Sequence, residues 1–252
     1  MSEAWKLAAA TAVAFAILVA GWQLAASLPG VPDYVLPSPG AVAAAMANGW
    51  IGGAFWEHAL FTLQGALGGC LIGALAGIAL GAVVAEIRTV ERAVYPLVVA
   101  VQSMPTVAVA PLIVVYLGVG LPSKIATVAL LCFFPVFVNT VAGVRTVDRG
   151  LLDLYRAVGA GRLRTFRDVR LPGALDHILA SLQIAVVLGF VGCVVSEFVA
   201  STAGLGFLIK SYANELNAAV MFAAIISLAM LGAACGGAVA WLHRRLVFWR
   251  RR

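Results

Sequence analysis

Six long apolar runs divide this chain, and together they hold one carboxylate, Glu197, and no lysine or arginine. An α-helix rises 1.5 Å per residue, so about 20 apolar residues cross the hydrocarbon core of a bilayer. The runs are Leu7 to Leu28, His58 to Val84, Leu97 to Leu117, Ile125 to Val144, Ile178 to Ala200 and Ala218 to Leu242, within one transmembrane domain covering residues 1–252. Of the 252 residues 63% are hydrophobic and 11% charged, against about 45–50% and about 25% in soluble domains. Too few polar side chains exist to cover a water-facing surface. A disordered chain or a disulfide scaffold fails on the same figures. The expectation is an all-α membrane protein with six transmembrane helices. The third run is interrupted by Pro96, Pro105 and Pro111 and carries Gln102-Ser103 at membrane depth, which predicts a kinked or broken helix.

The basic residues give the orientation. With the N-terminus in the cytoplasm, fifteen of the 17 lysines and arginines fall on the inner side, and only Lys124 and Lys210 outside. Both termini are therefore predicted to be cytoplasmic in a multi-pass membrane protein; the resemblance given below implies the bacterial inner membrane. The net charge of +6 reflects topology and contact with anionic lipid, not nucleic acid. The first apolar stretch is 22 residues long, longer than the h-region of a cleavable signal, and reads as a retained span. After it, a proline-rich turn from Pro29 to Gly40 leads into a short interfacial helix over Ala41 to Met46.

Small and polar residues carry the packing and pathway readings. Gly65, Gly69, Gly73, Gly77 and Gly81 form one helical stripe, suited to close packing inside the bundle or between two copies of the chain. Gly232, Gly236 and Ala240 make a shorter stripe of the same kind in the sixth span. Cys70, Cys132, Cys193 and Cys235 lie in apolar runs and read as packing residues, and His58, His177 and His243 as interfacial groups; no metal site is expected. Glu86, Arg88, Glu91 and Arg92 read as a solvated rim. Glu197, near the outer end of the fifth span, is either an interfacial carboxylate or a functional group. Gln102, Ser103, Thr106, Asn139, Gln183 and Glu197 are the polar candidates, and would be pathway or gate residues in a chain that passes a hydrated solute; Glu197 would then hold an outer gate through the Ser201-to-Gly206 loop or through an external protein docked there. HExxH, GxSxG and any Gly-Lys dipeptide are missing, so no phosphate loop exists and ATP-driven work would need another chain.

The loop from Thr146 to Pro172 is the most charged stretch. Leu151, Leu154, Tyr155 and Val158 fall on one face of a short helix, Gly159 and Gly161 end it, and a second helix over Arg162 to Leu171 is expected to stop at Pro172. Such a projection fits a cleft on a soluble partner; two helices lying on lipid headgroups is the alternative.

At these residues the sequence resembles the inner-membrane permease subunits of ATP-binding-cassette (ABC) importers, in the nitrate, sulfonate, taurine and thiamine-precursor branch. Their signature is EAA, three residues, Gly, nine residues, Ile, one residue, Leu-Pro; here Asp153-Leu154-Tyr155, Gly159, Val169 and Leu171-Pro172 occupy those positions. Leu36-Pro-Ser-Pro39, Phe134-Pro135 with Asn139, and Ser196-Glu197 with Gly204-Leu-Gly-Phe207 extend the resemblance over most of the chain. It implies a type I importer permease with coupling helices, paired with a second permease copy as a homodimer, two ABC ATPase subunits and an extracytoplasmic solute-binding protein. The seven signature residues would couple to the ATPase. ATP and Mg would sit on the partner subunits, with no cofactor on this chain. The solute implied is a small anion or a vitamin precursor. The rival readings are an ion-gradient-driven secondary transporter or channel, which calls for charges mid-span, and a membrane-embedded enzyme.

Overall fold

The computed structural model describes residues 3–247. Residues 1, 2 and 248–252, which include Arg250, Arg251 and Arg252, and the side chains of Glu3, Ala4, Leu7, Ala8, Arg88 and Thr106, lie outside what is described.

Among the described residues every regular element is helical: α1 (Glu3–Ala26), α2 (Pro39–Ile51), α3 (Ala54–Glu86), α4 (Arg88–Gln102), α5 (Thr106–Leu117), α6 (Leu121–Arg145), α7 (Arg149–Ala157), α8 (Arg162–Thr165), α9 (Leu171–Val199), α10 (Leu205–Asn214) and α11 (Ala218–Leu246). Five of these stretches are long and apolar enough to cross a bilayer, and α4 with α5 makes a sixth when the pair counts as one span bent by 96°. The bend falls where the prolines predict it: α5 starts after Pro105, and Pro96 and Pro111 lie inside the two halves.

The core is a sheaf of α3, α6 and α9, with α6 in the middle. In lipid there is no hydrophobic gain from burying leucine against leucine, so helices associate by close backbone approach. The glycine stripe of α3 supplies it. A Cβ on Gly73 would lie 2.3 Å from the Ala129 carbonyl oxygen, one on Gly77 2.8 Å from that of Phe133, and one on Gly81 2.9 Å from that of Phe137. The stripe therefore serves this bundle, not a contact between copies. The second stripe behaves otherwise. Gly236 has nothing within 4 Å of a built Cβ, and Gly232 reaches only the Phe190 ring at 3.7 Å, so α11 does not pack closely there. Cys70, Cys132 and Cys193 fill the core beside Ala66, Val128 and Phe190. All four cysteines are free thiols.

Helix α1 stands apart, tied to the rest through Trp22, whose indole N–H donates to the Pro37 carbonyl at 3.0 Å and whose ring lies 5.9 Å from that of Phe222. Helix α2 is longer than its small-residue stretch predicts. Ser38 caps it by accepting from the Ala41 N–H at 3.2 Å, and Pro39 suits the first turn because the N–H that proline lacks would have no partner within the helix there. It packs on α11, where the Trp50 indole donates to Ser227 Oγ at 3.0 Å.

Pro172 does not end a helix. Residues from Arg162 to Val199 run as one 38-residue helical stretch. A π-helical turn over Phe166–Arg170 precedes Pro172, and the widened turn accommodates a ring that would clash with a regular preceding turn.

Candidate functional site

Two features at opposite ends of α9 have functional geometry. At its N-terminal end, Asp148 caps α7 by accepting from the Gly150 and Leu151 N–H groups at 2.6 and 3.3 Å. Gly159, at φ +73°, closes the helix: its N–H bonds to the Arg156 carbonyl at 3.0 Å and the Ala160 N–H to that of Tyr155 at 2.9 Å. Both bonds belong to a Schellman cap, whose left-handed residue favours glycine. Leu151, Leu154, Val158 and Leu163 are all exposed, Leu163 at 82%, while Tyr155 is half-buried and Asp153 pairs with Arg156 at 2.9 Å on the surface. Val169 is buried, and Leu171 packs on the core of α3, α6 and α9. The motif is thus split. Its first half presents an unpartnered apolar face, and its second half anchors that face to the bundle.

Glu86 and Glu91 do stand on a solvated rim, Glu86 exposed and Glu91 half-buried, and both are paired there. Glu86 accepts from Arg170 at 2.6 Å and Glu91 pairs with Arg145, so two ion pairs join the ends of α3, α4, α6 and α9.

At the other end, Glu197 in the last turn of α9 and Lys124 in the first turn of α6 are each 1% exposed. Lys124 Nζ donates to Glu197 Oε1 at 2.6 Å, and Thr62 Oγ1 donates to the same oxygen at 2.7 Å. Glu197 Oε2 accepts from the Gly206 N–H at 2.6 Å, and Thr62 Oγ1 accepts from the Leu205 N–H at 2.8 Å. The Gly204 N–H reaches His58 Nδ1 at 3.0 Å, and the His58 ring stacks on Phe207. The ammonium also lies 3.6 Å from the centroid of the Phe61 ring. Taking such ions out of water costs several kcal/mol each and is tolerated only with full pairing. Here no buried side-chain nitrogen or oxygen among the described residues is left without a partner, and the result pins the start of α10 to three spans. Glu197 is therefore sealed in protein, not an interfacial carboxylate in water.

Lys124 was the residue that sequence reasoning missed, since the charge count placed it in an outer loop. The available signal was Gly65, first member of the α3 stripe, where a Cβ would lie 2.2 Å from Lys124 Cδ.

The remaining polar candidates are dispersed. Gln102 and Ser103 sit exposed at the α4–α5 bend, with the Ser103 hydroxyl donating to the Val99 carbonyl at 3.0 Å. Asn139 is half-buried and donates to the Pro135 carbonyl at 2.8 Å. Gln183 faces α11, 2.8 Å from His243 Nδ1, while His243 Nε2 lies 2.8 Å from Asp176 Oδ1. His243 is thus a bridge between α9 and α11. Helix α5 does pack beside α9, but Asn139, Gln183 and Glu197 do not line the cavity that Gln102 borders. No group of three or more metal-ligating side chains occurs among the described residues.

A family profile described as "Binding-protein-dependent transport system inner membrane component" matches residues 69–248. The chain is 36% identical over 94% of its length to the riboflavin transport system permease protein RibX of Chloroflexus aurantiacus, of which 88% is covered. It is 33% identical to the formylaminopyrimidine transport permease protein ThiX of Halalkalibacterium halodurans, with 94% of each chain covered. It is 32% identical to the putative aliphatic sulfonates transport permease protein SsuC of Escherichia coli, over 92% of this chain and 88% of that one. Among solved structures, an inward-facing form of the MetNI methionine ABC transporter superposes with a TM-score of 0.68 at 19% identity, covering 77% of this chain and 98% of that one; that likeness concerns the fold.

Proposed function

This chain belongs to the family of binding-protein-dependent transport system inner membrane components, the permease subunits of ABC importers, and on that premise we propose how its residues divide the work. The exposed apolar face of α7 carries the reading: a capped, amphipathic helix with Leu151, Leu154 and Val158 turned away from the bundle is built to enter a cleft on a soluble partner. That partner is the ATPase, present in two copies, with ATP and Mg bound there and none on this chain. Asp153, Leu154, Tyr155 and Gly159 form the contact, and Val169, Leu171 and Pro172 connect it to α9. Closure of the ATPase pair on ATP moves α7, and the spans alternate between inward-open and outward-open states.

In this proposal a second copy of the chain completes the pathway as a homodimer, both termini are cytoplasmic, and the α10 end faces the solute-binding protein. The Lys124–Glu197 network holds the outer gate. It does not favour an ion-gradient-driven transporter, because its charges neutralise each other at span ends and every acceptor is occupied. Gln102, Ser103, Thr106, Asn139 and Gln183 serve as polar positions along the pathway. The solute is a small organic molecule of the range that the relatives' names cover, from sulfonates to riboflavin and pyrimidines.

Copurification tests the reading. The tagged chain should bring down an ATPase whose hydrolysis is stimulated by a solute-loaded binding protein; a permease that remains alone across several mild detergents would remove it.

A further inference from the structure

Building on the importer reading, we infer that the cavity at the break in the third span is a subsite for an uncharged, planar heteroaromatic solute and not for an organic anion. The cavity encloses about 260 Å³ between the end of α4 and the middle of α6, bordered by Leu97, Val101, Gln102, Met104, Phe133 and Phe134. An apolar cavity of about 150 Å³ already accommodates benzene, so the space suits fused rings. Phe133 stacks on Phe137 with ring centroids 5.6 Å apart at 19°, and Phe137 lies 6.2 Å from Tyr95. This ladder holds the plane of Phe133, and a flat π system gains most from a face held in that way. Met104 adds a polarizable sulfur. Gln102 is the one polar side chain among the described lining residues. Its amide both donates and accepts, which matches the N–H and C=O edge of a pyrimidine-type ring.

The charge inventory points the same way. An anion held away from water needs a cation or several donors. Among the described residues of the spans the deeply placed cation is Lys124, and Glu197 already neutralises it. Arg92, the nearest basic residue on α4, is ten positions from Gln102, about 15 Å along the helix. A sulfonate in this cavity would find no counter-charge.

The test uses the purified permease–ATPase assembly in nanodiscs, with fluorescent lumichrome as the uncharged flat probe and radiolabelled ethanesulfonate as the anion. Wild type should retain lumichrome, and Gln102→Leu and Phe133→Leu should each weaken retention at least tenfold while the ATPase stays bound. Ethanesulfonate should be held only by Gln102→Lys. Retention of ethanesulfonate by wild type at least as strong as that of lumichrome overturns the inference, as does lumichrome retention unchanged by both substitutions, which would be partition into lipid. Should Phe133→Leu fail to assemble, the exposed Gln102 variants decide alone. These outcomes leave the importer reading standing if the assembly hydrolyses ATP; a wild-type preparation without an ATPase strikes at that reading, and the probe comparison still decides the subsite.

Discussion

Gly65 on α3 faces Lys124 on α6 so closely that a Cβ would fall 2.2 Å from the lysine Cδ. The missing side chain makes the channel through which the lysine stem reaches Glu197. The contact joins two features that looked separate in the sequence, the glycine stripe and the lone carboxylate of the fifth span. The stripe is a helix-packing surface over most of its length and a passage for a cation at one end.

Breaking the ion pair from one side should be worse than removing both charges. Glu197→Gln keeps the shape but leaves one acceptor oxygen, which serves either Gly206 or Thr62 and Lys124 but not both, and it strands the Lys124 ammonium, at a cost of about 3–5 kcal/mol. Lys124→Met strands the carboxylate. Thermal unfolding of the detergent-purified complex is expected to show both single variants well below wild type and the double variant above either. A double variant as unstable as the sum of the two would mean that the groups are energetically independent.

In an assembled complex, Glu197→Gln should also reduce stimulation of ATP hydrolysis by the solute-binding protein more than it reduces basal hydrolysis, because it loosens the α10 segment at the gate end and leaves α7 untouched. Equal loss of both activities would argue against the gate role.

Glycines of the two stripes should respond in opposite ways. Gly73→Ala forces a methyl against the backbone of Ala129, which cannot rotate aside, so the penalty should reach or exceed the about 1–3 kcal/mol of ordinary overpacking. Gly236→Ala meets nothing within 4 Å in this chain and should leave the monomer fold unchanged. Size-exclusion profiles after graded heating distinguish the two.

At the coupling end, Gly159→Arg places a side chain on a residue at φ +73°, where residues with a Cβ pay about 1–2 kcal/mol of strain, and it distorts the cap that ends α7. ATPase should bind weakly, or hydrolyse ATP without uptake. Leu154→Glu charges the exposed face and leaves the Gly159 cap in place, and should weaken ATPase retention alone. Normal uptake in both variants would remove α7 from the coupling path.

Single cysteines at Gly161 and at Ala203, in a background without the four native thiols, should react from opposite sides of the membrane with an impermeant reagent: Gly161 from the cytoplasm, Ala203 from outside. Labelling of both from one side would be incompatible with the six-span arrangement.

The spans, the break between α4 and α5 and the amphipathic α7 were readable because each follows from local chemistry: apolar length, proline position and helical period. The Gly159 cap was readable for the same reason. Other features depend on residues far apart in the chain. The burial of Lys124 is set by Glu197, 73 positions later, and a count of basic residues per loop has no means of seeing a partner at that distance. Glu86 and Glu91 were readable as a solvated rim, but their partners Arg170 and Arg145 reach them only through the packing of distant helices. Pro172 misled for a different reason: a proline ends a regular helix, and the π turn that spares it leaves no simple mark in composition. The second glycine stripe shows that spacing alone marks a face able to pack closely without showing what occupies it.

The unbroken run from Arg162 to Val199 has a mechanical consequence. Its 38 residues extend about 57 Å at 1.5 Å per residue, with α7, the proposed coupling helix, joined to one tip and Glu197 within one turn of the other. A rod of that length transmits a tilt. Under the proposed coupling, a few degrees imposed at the α7 end would become a displacement of several ångströms at the far tip. The π turn at Phe166–Arg170 lies near the end that would be driven, so most of the lever beyond it is regular α-helix.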